Sequence, residues 1–224
     1  MEIPIVRDVL EESNLLGWEN REVFDRSGVF VINLMSSPGS GKTALLMKTI
    51  PVLQTLGINC AVIEGDVTSS IDSEKLKQLN IQIVQANTEP FGGACHIGPH
   101  LVKAALEFLD LSSIQILFIE NIGNLVCPAE FYLGEDCKIA LLSITEGEDK
   151  PLKYPLMFRE CKVCIISKTD LLPHLDFDMN LLQSNIRLIN SQMKIIFSSA
   201  KTGEGIAAWV DWIMSQKAAA ANSR

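Results

Sequence analysis

Nowhere does the sequence hold an apolar run of the ~18–20 residues that a membrane-crossing helix needs. A helical membrane protein is therefore excluded. Positive charge is also scarce: 19 Lys and Arg stand against 27 Asp and Glu, a formal net charge of -8. A chain this acidic lacks the broad basic surface used in non-specific nucleic-acid binding. The opening, "MEIPIVRDVLEESN", has no apolar core followed by small residues, so it does not read as a secretory signal. A cytoplasmic location is the expectation. The six cysteines, at 60, 95, 127, 137, 161 and 164, are then core residues, ligands or reactive thiols before they are disulfides. Internal repeats and linkers are absent too. The expected organisation is a helical segment over 1–27 on the sheet's flank, one domain over 28–218 and a fraying tail over 219–224.

What is present is regular alternation. Seven short apolar runs, "GVFVINLM" (28–35), "NCAVIEGD" (59–66), "IQIVQAN" (81–87), "IQILFIEN" (114–121), "KIALLSIT" (138–145), "KVCIISK" (162–168) and "MKIIFSS" (193–199), suit strands covered on both faces. Helical stripes lie between and after them: Leu46, Ile50 and Leu53; Val102, Ala105, Leu106 and Leu109; Ile206, Trp209, Val210, Ile213 and Met214. Val6, Val9 and Leu10 start a helical pattern near the beginning. The alternation predicts a three-layer α/β domain with a mostly parallel sheet, its ligands gathered at the carboxyl ends of the strands.

The stretch "SSPGSGKTALL" ends the first strand and opens a helix. It follows the phosphate-loop pattern G-x-x-x-x-G-K-[ST], except that Ser36 occupies the first glycine position. Gly39 and Gly41 let the backbone of Ser40 to Ala44 turn its N–H groups toward phosphate oxygens. Lys42 would reach the β- and γ-phosphates, and Thr43 would offer its hydroxyl to Mg²⁺. Asp66 and Glu120 close apolar strands, where a carboxylate can hold Mg²⁺ beside a bound nucleotide; a solvated strand-end acid is the other reading. Asp66 is also placed to orient an attacking water.

"SKTD" (167–170) follows another strand. The Asp170 carboxylate can accept from both N1–H and the 2-amino group of guanine, a donor pair that adenine lacks. The usual guanine motif is Asn-Lys-x-Asp; Ser167 replaces the Asn, while Lys168 and Asp170 remain. Ser199, Ala200 and Lys201, in "SSAK", fit the loop that offers backbone N–H groups to the guanine oxygen.

"GGACHIGPH" (92–100) sets Cys95 beside His96 in a glycine loop, and Cys127 follows the strand that ends at Glu120. Thiolate and imidazole suit Zn²⁺ or Ni²⁺, though a satisfied loop pair is the alternative. Three ligands fall short of the four Zn²⁺ usually takes; two-fold pooling would complete the set. His100 is a further ligand or a residue packed on the following helix. Cys161 and Cys164 are set aside as a site, on the expectation that an i, i+3 pair on a strand faces opposite ways.

Taken in order, "SSPGSGKT", "EGD", "GGACH", "ENIGNLVCP", "DKPLKYP", "KTDLL" and "SAKTGEG" closely resemble the HypB-type nickel-incorporation GTPases, nearly throughout from residue 30. The resemblance implies a fold of the P-loop class, slow hydrolysis of GTP to GDP and phosphate, and a homodimer formed across the nucleotide. It implies Cys95, His96 and Cys127 as ligands for Ni²⁺ or Zn²⁺ at the dimer interface, and Lys42, Thr43 and Asp66 around phosphate and Mg²⁺. Asp170 would read guanine, and Lys153 in "DKPLKYP" would reach the partner's nucleotide. It further implies a HypA-type nickel metallochaperone as partner and the nickel–iron hydrogenase large subunit as the indirect client. A chaperone for urease or a cobalamin-dependent mutase is the nearest alternative. The sequence has neither the C-x-x-C-G-C site nor the histidine-rich tract of many relatives.

Overall fold

The computed structural model describes residues 9–66, 71–88 and 95–224. Its helices are α1 (Val9–Ser27), α2 (Lys42–Thr55), α3 (Ile71–Leu76), α4 (Pro99–Leu106), α5 (Cys127–Glu130), α6 (Lys150–Lys153), α7 (Pro155–Glu160), α8 (Met179–Ile189) and α9 (Ile206–Ser223). The strands are β1 (Phe30–Ser36), β2 (Cys60–Asp66), β3 (Gln82–Asn87), β4 (Ile116–Glu120), β5 (Cys137–Ser143), β6 (Val163–Ser167) and β7 (Lys194–Phe197). They form one sheet in the order β3-β2-β4-β1-β5-β6-β7. Every pairing is parallel.

The continuous apolar runs are explained by burial on both sides. Phe30, Ile32 and Leu34 of β1 face one layer, with Leu46, Ile50 and Leu53 of α2 and Trp209 and Ile213 of α9. Val29 and Val31 face the other, with Val102 and Ala105 of α4 and Phe24 of α1. β1 is buried at every position, so period-2 alternation is invisible in its sequence.

α1 is held across α4 by polar contacts. Asn20 Nδ2 donates to the carbonyl of Pro99 at 2.9 Å and to that of Leu133 at 3.2 Å. Arg21 donates to Gly134 O at 2.8 Å and pairs with Asp136 at 3.0 Å. Val6 and the side chains of Val9 and Leu10 lie outside the described residues.

α9 runs on to Ser223, and the Arg224 guanidinium pairs with Asp25 and Asp136, each at 2.8 Å. The physical reason is the run Ala218–Ala221, the strongest helix former available, with an ion pair at its end.

Candidate functional site

β1 delivers Ser36 to the carboxyl edge of the sheet, the chain turns, and α2 begins at Lys42. Gly39 and Gly41 take the left-handed conformation, with φ of 74° and 101°. A side chain would be strained at either position. Lys42 Nζ donates to Ser36 Oγ at 3.0 Å. The residue that departs from the motif is thus the one that parks the lysine. Ser40 Oγ lies 2.8 Å from Ser37 O and donates to Glu146 Oε1 at 2.7 Å. Thr43 Oγ1 donates to Glu120 Oε1 at 2.7 Å across β1 and β4. A hydroxyl touching a carboxylate at a helix N-terminus is an all-oxygen donor set that suits a hard cation. Asp66, half-buried, ends β2 on the neighbouring strand.

A cavity of about 260 Å³ opens beside this loop, walled on one side by Ser40, Gly41 and Ala44. Ser167, Lys168 and Asp170 line it opposite, with Ala200 and Lys201 at the rim. The two walls are bonded together: Ser167 Oγ donates to Ser40 O and Lys168 Nζ to Gly39 O, both at 2.7 Å. Ser199 does not line the cavity; its hydroxyl donates to Asp170 Oδ1 at 2.6 Å and aims the carboxylate. Lys201 is exposed, 3.9 Å from Asp170. Larger cavities among the described residues, of about 420, 460 and 420 Å³, lie elsewhere and include no phosphate-loop residue.

The second centre joins two loops. Ligand atoms of Cys95, His96 and Cys127 all lie within 4.8 Å of one another. The two Sγ atoms are 2.8 Å apart, and Cys95 Sγ is 3.9 Å from His96 Nδ1. Asn124 Nδ2 donates to Cys127 Sγ at 3.5 Å. His96 stacks on Phe131 at 4.1 Å between centroids. Burial, and then the neighbouring His100, hold the His96 imidazole below its ordinary pKa, against Glu130. It is kept in the neutral form that binds metal. The Cys127 thiol is pushed up, first by its hydrogen bond with Cys95 and then by burial. Gly92, Gly93 and Ala94, which lead into this loop, lie outside the described residues.

A family model described as CobW/HypB/UreG, nucleotide-binding domain, matches residues 30–197. The hydrogenase maturation factor HypB of Azotobacter chroococcum mcd 1 is 46% identical over 224 residues, covering 99% of this chain and 72% of that protein. The crystal structure of HypB from Helicobacter pylori in complex with nickel superposes with a TM-score of 0.86 at 31% identity, covering 92% of this chain and 95% of that one. HypB from Archaeoglobus fulgidus gives 0.85 at 33%, covering 92% and 99%. The chain belongs to the HypB family.

In this HypB-family chain Lys153 is exposed, outside the cavity of its own chain, and pairs with Asp149 of its own helix turn. One expectation needs adjusting. Cys161 and Cys164 do not face opposite ways. Cys161 precedes β6, which starts at Val163, and both thiols are buried in one apolar cluster. They are core residues for that reason, not because of strand alternation. His100 is exposed and lies outside the cluster formed among the described residues.

Two residues of this HypB chain escaped the sequence reading. Glu146 completes a capping box with Ser143 while gripping Ser40. The S-x-x-E spacing of 143–146 was the signal available. Asn121, fully buried beside Glu120, carries no such signal.

Proposed function

We propose that this HypB-family protein hydrolyses GTP and uses its nucleotide state to control delivery of nickel during maturation of nickel–iron hydrogenase. The observation that carries this reading is one short segment. At residue 120 it touches the phosphate-loop threonine, and at residue 127 it supplies a metal ligand. A change at the γ-phosphate therefore has a direct mechanical route to the metal centre.

Asp170, aimed by Ser199, reads the guanine edge. Lys42 leaves Ser36 and neutralises charge on the β- and γ-phosphate oxygens. Thr43, Glu120 and Asp66 hold Mg²⁺, which when bound offsets the phosphate charge. Asp66 also orients the water that attacks the γ-phosphorus. The bond from that phosphorus to the β–γ bridging oxygen breaks, leaving GDP and inorganic phosphate. Cys95, His96 and Cys127 hold the cargo, Ni²⁺ or Zn²⁺. Three ligands per chain favour a two-fold homodimer that pools them, with Lys153 turned toward the partner's nucleotide. A HypA-type metallochaperone in the cytoplasm then takes nickel onward to the hydrogenase large subunit.

The test is titration of nickel and of zinc into the protein with GDP and with a non-hydrolysable GTP analogue, with sedimentation of the same samples. A change of metal affinity or stoichiometry that accompanies dimerisation supports the reading. Identical metal binding in both states overturns it.

A further inference from the structure

We infer that Asn121 is the positioning residue through which the nucleotide site sets the metal-binding loop. The inference rests on the function proposed above and names the part that carries the coupling.

Asn121 follows Glu120 directly, and its amide still donates to Leu34 O of β1 at 3.0 Å. The strand geometry therefore continues through both residues, and their side chains leave on opposite faces of the sheet. Glu120 goes to Thr43. Asn121 Oδ1 accepts from the backbone amide of Ile97 at 3.0 Å and from its neighbour Ile122 at 3.0 Å. Ile97 is the residue after His96. The end of one strand thus touches the phosphate loop on one side and the metal loop on the other.

The asparagine is itself braced. Its Nδ2 donates to Asn33 Oδ1 at 3.2 Å, and Asn33 donates onward to Glu135 at 3.3 Å. Asn33 and Asn121 have no exposed surface. A buried amide in this spot needs one oxygen to receive two N–H groups and one nitrogen to give a proton, a pattern that only Asn supplies at this length. The seat of Ile97 is equally tight. A methyl added at Gly65, the residue before Asp66, would lie 2.5 Å from Ile97 Cδ1. Ile97 is therefore wedged against the ends of both strands that carry the acidic residues. Two residues beyond Asn121, a methyl at Gly123 would lie 2.7 Å from Pro38 of the phosphate loop. From there the segment runs to Asn124 and Cys127. Packed contacts this close transmit displacement because neither side has room to absorb it.

The experiment compares full-length wild type with Asn121→Ala and Asn121→Asp. Nickel(II) is titrated into each with GDP and with a non-hydrolysable GTP analogue, GDP affinity is measured without metal, and hydrogen exchange is followed in the peptide containing Ile97. Asn121→Ala is expected to weaken nickel binding on the order of tenfold, as loss of an outer-shell partner does. The same variant should bring the ratio of affinities between nucleotide states close to one, expose the Ile97 amide to exchange, and leave GDP affinity within about twofold. Asn121→Asp keeps the acceptor oxygen for Ile97 but loses the proton given to Asn33, and is expected to recover part of the nickel affinity that Asn121→Ala loses. If Asn121→Ala does not fold, Asn33→Ala, which removes the brace without touching Ile97, replaces it in the same comparison. Wild-type nickel affinity and Ile97 exchange in the variant would overturn the inference, as would an equal loss of GDP binding, the mark of a merely structural role. Should wild type itself bind nickel equally in both nucleotide states, the proposed function falls. The role of Asn121 in holding the metal loop is then still decided by the nickel affinity and exchange of the variants.

Discussion

Glu146 Oε1 accepts from Ser40 Oγ at 2.7 Å and from the amide of Ser143 at 2.9 Å, so one carboxylate oxygen fastens the phosphate loop to the end of β5. Glu146→Ala leaves the Ser143 backbone N–H without its acceptor and cuts the link between Ser40, which keeps only Ser37 O, and the end of β5. Thermal or denaturant unfolding should show a loss of about 1–3 kcal/mol. GDP affinity should fall with it, since Ser40 holds the backbone that would face phosphate. Glu146→Gln keeps an acceptor oxygen and should lose less than half as much. Equal losses for both variants would mean that the charge, not the hydrogen bonds, is what matters.

Base choice is expected to rest on Asp170. Asp170→Ala removes the acceptor pair and leaves Ser199 without its partner. Competition of GTP against ATP for the bound state should show the guanine preference shrinking by on the order of a hundredfold. ATP binding itself should change little. A preference that survives the substitution would place base selection in the backbone of 199–201 instead.

Thr43→Ala deletes the hydroxyl that bridges the phosphate loop to Glu120. GTP turnover should fall by about a hundredfold or more and lose its dependence on Mg²⁺ concentration. GDP binding without Mg²⁺ should stay within about threefold of wild type, because the N–H groups of the loop remain. Measuring kcat against Mg²⁺ concentration separates these effects. An unchanged Mg²⁺ dependence would remove Thr43 from the cation site.

Metal affinity should climb as pH rises. The Cys127 thiol, raised by its bond with Cys95, is protonated at neutral pH in the metal-free protein, and the bound metal requires its thiolate. Each thiol proton expelled adds about one decade of affinity per pH unit below the thiol's own pKa. His96 acts in the other direction of range. Its pKa lies below the ordinary value, so it is already neutral at pH 7 and costs affinity only as pH falls through that lowered pKa. Nickel titrations from pH 6 to 8.5, with proton release read from buffers of different ionisation enthalpy, check both. A flat profile would show that the Cys127 thiol is already ionised.

The fold was legible because burial on two faces writes itself into composition. Each of the seven strands matches the apolar run that announced it, apart from one residue beyond it at the end of β1 and one at the start of β5, and the helical stripes of α2, α4 and α9 face the sheet. The phosphate loop was legible because its chemistry depends on local spacing. Cys95, His96 and Cys127 stood out by residue type and by family resemblance, and the fold brings them together across 32 residues of chain. What stayed hidden depends on distance in the chain. Asn121 acts on Ile97, 24 residues upstream, and Lys168 on Gly39, 129 residues away. No periodicity records such pairs. The expectation for Cys161 fails for a smaller reason: β6 begins at Val163, two residues after it, so strand alternation does not reach that cysteine.

The strand order separates two tasks. On one side of β1, strands β4, β2 and β3 lead to Glu120, Asp66 and the two loops that hold Cys127, Cys95 and His96. On the other, β5, β6 and β7 lead to Glu146, Asp170 and the 198–201 loop. Among the described residues, the phosphate loop at the end of the shared central strand touches both halves, through Glu120 and through Glu146. An architecture divided in this way can exchange its cargo by rewriting one wing while the other goes on selecting the same fuel.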